Sequence, residues 1–555
     1  MFTRRFSVNL IKCSLLLIFM FSLTSCSEPI IGKFQDQADL MFEISYPESV
    51  GAEAVTGRVF VMISRHDNRE PRLQAGSWGN SVPFFGLDIH DLRPGETAVI
   101  DDTALGYPLV SLRDIPTGTY YVQGFCNVYT KFERSDGHVI WAHMDQWEGQ
   151  QFNRSPGNLH SEVQSVHLDP DAGYTIKLIL DKVIPPVEVP EDTQWIKRIK
   201  FESKLLSDFW GHPIYLGATI LLPKDYDQHP EVYYPVHYKQ GHFSLSPPNG
   251  FREGSEFYDA WTAEDFPRMI AVTFQHPCPY FDDSYAINSE NCGPFGDAIT
   301  TELIPYLEEN FRIISKPYAR VLSGGSTGGW ESLALQVLHP KFFGGCWSFY
   351  PDPIDFRYYQ LVNIYEDENA FYQKSEWMTA YRPMMRDEHG QVTVTLKQLS
   401  QLEAVLGTKG RSGQQLDIWQ AAYGPVGSDG YPMPLWDKLT GEIDREVAEH
   451  IRKYDLRDYL EKNWSEIGSH LVGKINILCG DMDNYYLNEA VYEMEAFLEG
   501  TNDPYYAGSF QYGRPRKTHG WTPYGRNTGV LERVMSEHIT KNAPAGENTK
   551  QWKYK

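Results

Sequence analysis

Between residues 34 and 183, short apolar–polar alternations are broken every few positions by turn residues. The runs at 58–63, 119–125, 139–142 and 175–180 are short and rich in apolar, β-branched and aromatic residues, as strands are. Many short strands with little helical patterning predict an all-β, immunoglobulin-like sandwich over residues 26–183. Prolines 185, 186 and 190 then alternate with acids. Prolines cannot donate to a sheet interior, so residues 184–194 are expected to form a stiff linker.

From residue 195 the pattern changes to strands alternating with helices. Apolar runs at 196–201, 215–222, 235–239 and 269–274 read as the first strands, followed by helical spacing over 297–311. A strand at 319–322, a helix at 330–338 and a strand at 346–349 come next. This order predicts a doubly wound, mostly parallel α/β domain over 195–555. Regularity is lost between about 356 and 473, where helical pieces (396–406, 444–459) flank a Gly/Pro-rich stretch, 423–432. That segment is expected to pack as a cap-like insertion over the strand ends. The sheet resumes at 474–479, with a helix at 488–498 and a strand at 506–512.

The N-terminus has a different character. Arg4, Arg5 and Lys12 precede an apolar run at 15–21 and then Leu23-Thr24-Ser25-Cys26. A basic start, a short apolar core and small residues predict a secretory signal over residues 1–25, too short to span a bilayer. Its ending resembles a bacterial lipobox. That resemblance implies lipidation at Cys26 and a membrane-anchored lipoprotein of the cell envelope, periplasmic or at the cell surface; the alternative is an ordinary cleaved signal. Residues 1–25 hold three basic and no acidic groups, so their removal takes the net charge from −23 to −26. So acidic a body argues against nucleic acid as a partner. Cys278 and Cys292 bracket one polar loop, and an oxidising compartment would allow a disulfide there; Cys346 and Cys479 lie in apolar strand patterns, as buried thiols do.

The candidate chemistry centres on Gly324-Gly325-Ser326-Thr327-Gly328. A G-x-S-x-G string between a buried strand and a helix is the context of a nucleophile elbow. Small neighbours are required because a side chain there would collide with the strained turn. The turn sets the hydroxyl at a helix N-terminus, where backbone N–H groups can stabilise an oxyanion. A serine hydroxyl also needs an imidazole base and a carboxylate to orient that base. His519, in a loop directly after the final strand, is the expected base; His538 lies in a C-terminal helical stretch. The acid is expected at Asp483, because Cys479-Gly480-Asp481-Met482-Asp483 lets the chain turn off its strand before presenting the carboxylate. Asp481 is the near rival, and Asp352 or Asp355 would serve if the acid followed the preceding strand. The oxyanion hole is expected from the backbone N–H of Thr327 and that of His242, which follows Gly241 after the third strand.

The elbow Gly-Gly-Ser-Thr-Gly-Gly, Gln240-Gly241-His242-Phe243, the stretch 288–297 and His519-Gly520-Trp521 together resemble the esterase D-like branch of the α/β hydrolases, which includes enterochelin, feruloyl and acetyl-xylan esterases. The resemblance covers roughly residues 195–525. It implies a serine esterase of α/β hydrolase fold acting through an acyl-enzyme on a small-molecule or glycan ester, with no cofactor and no metal. An N-terminal β-sandwich is similar to the arrangement in enterochelin esterases. The chain departs from the pattern at Gln240, where His is usual, and in its long insertion; both bear on the substrate. Two other readings remain: a peptidase of the same fold, and a non-catalytic, glycan-binding surface lipoprotein. Tyr129, Trp141, Trp147 and Trp195 offer a sugar platform or plain core packing. Asp282-Asp283 offers calcium ligands or an exposed turn.

Overall fold

The structure, a computed structural model, describes residues 38–79 and 81–553; the leader and Cys26 lie outside the described residues. Eight strands form the larger sheet: β1 (Ile196–Glu202), β2 (Tyr215–Leu221), β3 (Val236–Gln240), β4 (Ile270–Gln275), β5 (Arg320–Gly325), β6 (Gly345–Phe349), β7 (Ile475–Gly480) and β8 (Ser509–Gly513). Their spatial order is β1-β2-β4-β3-β5-β6-β7-β8. The β1–β2 and β2–β4 pairs are antiparallel, and every pair from β4 to β8 is parallel. The central strands are buried on both faces, as β6 shows, with all five of its residues buried. Helix α1 (Thr327–Leu338) is buried along almost its whole length, because it runs beneath the sheet and is covered in turn by the helix Leu456–Leu471.

The expected strands and helices of the larger sheet are present with small displacements, whereas the helical piece expected at 444–459 is two helices, Arg445–Ile451 and Leu456–Leu471, the second capped by Asp455. The last strand begins at Ser509 rather than 506, directly after Gly508, where a Cβ would lie 2.0 Å from Ile475 O. The helix expected at 297–311 contains a widened π turn, Ile299–Leu303, directly before Pro305. Proline lacks the N–H that a regular turn would use, and the wider turn accommodates it.

The N-terminal portion holds two β-sheets. One has three strands, Tyr174–Ile179, Leu40–Ser45 and Ala98–Asp101; the other has seven, with Val55–Ser64 at its centre between Gly118–Val128 and Phe84–Leu92. Val55–Ser64 shows how the halves of the molecule join. Val59, Val61 and Ile63 point to the core shared by the two N-terminal sheets, beside Phe42 and Ile44. Phe60 and Met62, one position out of phase, point to a second core that runs without a break into the α/β portion. Both faces of the strand are therefore buried, and Asp39–Lys555 pack as one compact unit. Among the described residues no helix is long and apolar enough to cross a membrane.

A buried charge network fastens the N-terminal sheets to the segment after β6. Arg58, 3% exposed, lies 2.6 Å from Asp88 and donates through Nε to Val405 O at 2.9 Å. Arg411 reaches the other Asp88 oxygen at 3.0 Å, and Thr408 donates to it as well. Burial alone would raise the Asp88 pKa, but the two guanidinium groups outweigh it and hold the carboxyl below its usual value. Removing one partner of such a network leaves buried charge uncompensated. Asp88→Ala is therefore expected to lower the unfolding free energy at neutral pH by about 3 kcal/mol, read from urea transitions. Because the folded-state pKa is the lower one, this contribution is complete above the unfolded value and fades as pH falls below about 4. The gap between wild type and variant should shrink in the same direction.

Candidate active site

The strand-to-helix reversal after β5 puts Ser326 at φ 60°, ψ −123°, a backbone region that L-residues rarely occupy. The turn is held from several sides. Ser326 N–H donates to Phe349 O at 3.0 Å, and Ser326 O accepts from Gly329, Trp330 and Asp352 N–H groups. Glycine is required by contact as well as by conformation: a Cβ at Gly328 would lie 2.3 Å from Gln240 O, and one at Gly324 would lie 2.2 Å from Gly328 O. The loop after β3 thus packs directly on the elbow, which is what brings His242 to this end of the sheet. Among the described residues, neither the Thr327 N–H nor the His242 N–H has a protein acceptor. These are the two donors expected for an oxyanion.

His519 lies 2.8 Å through Nδ1 from Asp483 Oδ2. Asp483 is fully buried, and its other oxygen accepts the Tyr485 N–H at 2.9 Å, so the carboxylate has little freedom to turn away. The imidazole is clamped between Tyr350 and Tyr485, with ring centroids 4.5 and 4.8 Å away. Asp481, the near rival, instead accepts the Lys517 N–H and organises the loop that carries His519. His538 bonds to Gly344 O and packs on Trp347, away from Ser326. Asp355 is occupied by Arg357 and caps a helical turn.

Asp352 has a different place from the one its position in the sequence suggested. Its Oδ1 accepts the Ser326 hydroxyl at 3.2 Å, and its Oδ2 accepts from Tyr285, Thr327 and Gln415. Burial raises its pKa, opposed first by the Tyr285 hydrogen bond. Among the described residues the hydrogen bonds therefore form two pairs, Ser326 with Asp352 and His519 with Asp483, and no bond joins the pairs. Ser326, Asp352 and His519 line one cavity of about 460 Å³, and Asp483 stands buried behind His519. The sequence signal for Asp352 was its position straight after β6, which marks a carboxylate at the reactive end of the sheet without saying which partner it meets.

Other walls of the cavity come from distant segments: Trp78 from the N-terminal portion, Met384 and Gln414 beyond β6, and Gln415 and Trp419 from α2 (Gln415–Tyr423). Trp78 Nε1 donates to Gln414 at 3.2 Å. Neither residue carried a motif that could mark it. The aromatics considered as a sugar platform are dispersed instead: Trp147 packs on Phe243, and Trp195 on Phe251 and Tyr258.

Two further expectations change. Cys278 and Cys292 are separate buried thiols rather than a disulfide. They lie in contact, and burial, then hydrogen bonding with Cys292, pushes the Cys278 thiol well above its ordinary pKa. A thiol kept protonated and out of solvent is a poor partner for disulfide exchange. Asp282-Asp283 is not an exposed turn, since Asp283 is 1% exposed. Burial opposes a charge on His242, but Asp282 at 3.0 Å and Asp283 at 3.4 Å outweigh it and hold that imidazole well above its usual pKa.

Residues 215–400 match the family model for Esterase, described as "Putative esterase". With this match the chain is a carboxylic ester hydrolase. Among solved structures it is similar to a ferulic acid esterase, at 16% identity over 62% of this chain and 98% of the other, with a TM-score of 0.36. It is also similar to an S-formylglutathione hydrolase from Agrobacterium tumefaciens, at 13% identity over 64% and 99% of the two chains, with a TM-score of 0.35. A ferulic acid esterase from Anaeromyces mucronatus aligns at 14% identity over 64% and 94%, with a TM-score of 0.30. Likeness at these scores bears on neither mechanism nor substrate. No curated protein matches the chain.

The elbow packing yields a direct test. Gly328→Ala drives a methyl group into the Gln240 carbonyl, which is backbone and cannot swing aside. A loss of about 1–3 kcal/mol is expected from such overpacking, measured by urea unfolding. Ester hydrolysis should fall further than stability does, because the displaced loop is the one that carries His242.

Proposed function

We propose that this chain is an α/β-hydrolase-fold serine esterase, with an immunoglobulin-like sandwich ahead of the catalytic domain, acting through Ser326, His519 and Asp483. The observation that carries the proposal is His519, held by the buried Asp483, lining the same cavity as a serine held at positive φ. The Ser326 hydroxyl rests on Asp352; in the proposed cycle it leaves that bond for His519 Nε2. There Oγ attacks the ester carbonyl carbon while its proton passes to Nε2, and Asp483 stabilises the imidazolium. The N–H groups of Thr327 and His242 receive the oxyanion, each such donor contributing about 3 kcal/mol to lowering the barrier. The alcohol leaves with the proton from His519. Water, deprotonated by the same imidazole, then releases the acid and frees Ser326.

The substrate class we favour is an acylated carbohydrate or a siderophore-type ester. Support comes from the cavity wall, where aromatic faces (Trp78, Trp419, Tyr485) alternate with side-chain amides (Gln360, Gln414, Gln415) and Arg526. Flat apolar rings with a few convergent polar groups suit a sugar or catechol ring bearing hydroxyls. Lipidation at Cys26, with attachment to the cell envelope, belongs to the same reading and rests on the Leu-Thr-Ser-Cys signal.

Purified protein assayed on acetyl, feruloyl and catecholate esters and on peptide amides is expected to hydrolyse esters. Ser326→Ala and His519→Ala should each lower kcat/KM at least about 10³-fold. A fluorophosphonate should add covalently at Ser326 in wild type, read by peptide mass spectrometry. Hydrolysis of amides alone would favour a peptidase. Absent turnover together with absent labelling would leave a binding protein, and undiminished turnover in Ser326→Ala would remove the serine from the mechanism.

A further inference from the structure

Because β3 and β4 are parallel neighbours, the loops that follow them leave the sheet side by side. The first carries His242 after Gly241; the second carries Asp282 and Asp283. Residues forty positions apart in sequence thereby converge: His242 Nδ1 lies 3.0 Å from Asp282 Oδ1 and 3.4 Å from Asp283 Oδ2. One donor atom from each of the three residues falls within 4.8 Å of the others. Ligands bound at about 2.0–2.2 Å around one zinc ion stand roughly 3–3.6 Å apart, so the two nitrogen–oxygen separations already match a shared ion.

An ion pair alone leaves this cluster incomplete. Asp283 is 1% exposed; its Oδ1 accepts the Tyr285 N–H, whereas Oδ2, the oxygen facing His242, lacks a hydrogen bond among the described residues. Behind it stands Glu331 of α1, 0% exposed, whose carboxyl group faces that of Asp283, with His276 Nε2 3.8 Å away. Buried carboxyl oxygens without partners are costly, and they are rare in folded proteins. A cation coordinated by Asp283 Oδ2 supplies the missing partner, and Glu331 then sits as an outer neighbour of a ligating carboxylate. The Asp282 carboxylate and the half-exposed His242 ring keep the position open to solvent through two cavities that both border His242.

We propose that His242, Asp282 and Asp283 bind a divalent first-row transition ion, with zinc the best fit, at the rim of the active-site cavity. One imidazole and two carboxylates suit zinc or manganese better than calcium, which takes six to eight oxygens. Three protein ligands leave a coordination position facing the cavity. The ion would tie the loop after β3 to the loop after β4 and so fix the backbone of His242. The inference stands on the cluster's own geometry and does not require the esterase mechanism.

The test is isothermal titration of Zn²⁺ into untagged, EDTA-stripped full-length protein, beside Asp282→Asn, His242→Ala and a surface control, Glu162→Gln. Asp282 is partly exposed, so its variant is expected to fold, which a circular dichroism melt verifies. The expected result is one saturable site per chain, weakened at least ten-fold in Asp282→Asn and His242→Ala but unchanged in the control. Zinc should also raise the melting temperature of wild type and not that of Asp282→Asn. A crystal soaked in zinc should show an anomalous peak between the three side chains. No saturable binding up to millimolar zinc would overturn the proposal, as would equal affinity in all four proteins or a peak elsewhere. Calcium binding tighter than zinc would overturn the choice of ion.

Discussion

A single steric constraint, the reversal of the chain between β5 and α1, organises the reactive end of the molecule. At Ser326 the backbone takes a positive φ that only its surroundings can enforce, and those surroundings consist of main chain. Gly328 faces the Gln240 carbonyl and Gly329 the Phe349 carbonyl, so the loops after β3 and β6 close against the elbow with no side chain between them. The strain of one residue is thus borne by hydrogen bonds and contacts from three strands. That arrangement holds the Ser326 side chain forward, at the wall of the cavity.

The strand order then determines which other groups can reach the same place. In a parallel sheet all the connecting loops of one sense leave from one edge, and functional side chains collect there. β3 sends His242, β4 sends Asp282 to Tyr285, β6 sends Asp352, β7 sends Asp483, and the chain after β8 sends His519. The two N-terminal sheets add Trp78 to this edge because Phe60 and Met62 lock their second face onto the α/β core, while the Arg58–Asp88–Arg411 network fixes the segment that carries Gln414 and Gln415. The cavity is consequently a joint product of three stretches of chain, none of which could build it alone.

This division explains what could be read from the sequence. The strands and helices of the larger sheet were legible because periodicity reports burial locally, and the elbow was legible because its glycines are a local steric requirement. His519 and Asp483 followed from chain order. Contacts that depend on register between remote segments left no local trace: Trp78 against Gln414, Tyr285 and Gln415 on Asp352, and the second buried face of Val55–Ser64. The bracket Cys278–Cys292 predicted nearness correctly, yet the sequence carried no measure of the burial that surrounds both thiols.

Two carboxylates at one active edge raise the question of how their roles are kept apart, and their surroundings supply the answer. Asp483 is buried against the His519 ring and two backbone N–H groups, which fix the orientation of its carboxyl group. Asp352 is buried among neutral hydroxyls and amides, and burial raises its pKa. A carboxyl group that is reluctant to ionise puts less negative charge beside the position where an oxyanion would form, while still accepting the resting Ser326 hydroxyl. Divergent environments for paired acids are how one site separates orientation from reaction. In the proposed cycle Asp352 therefore acts as the resting place of the nucleophile, and Asp483 as the support of its base.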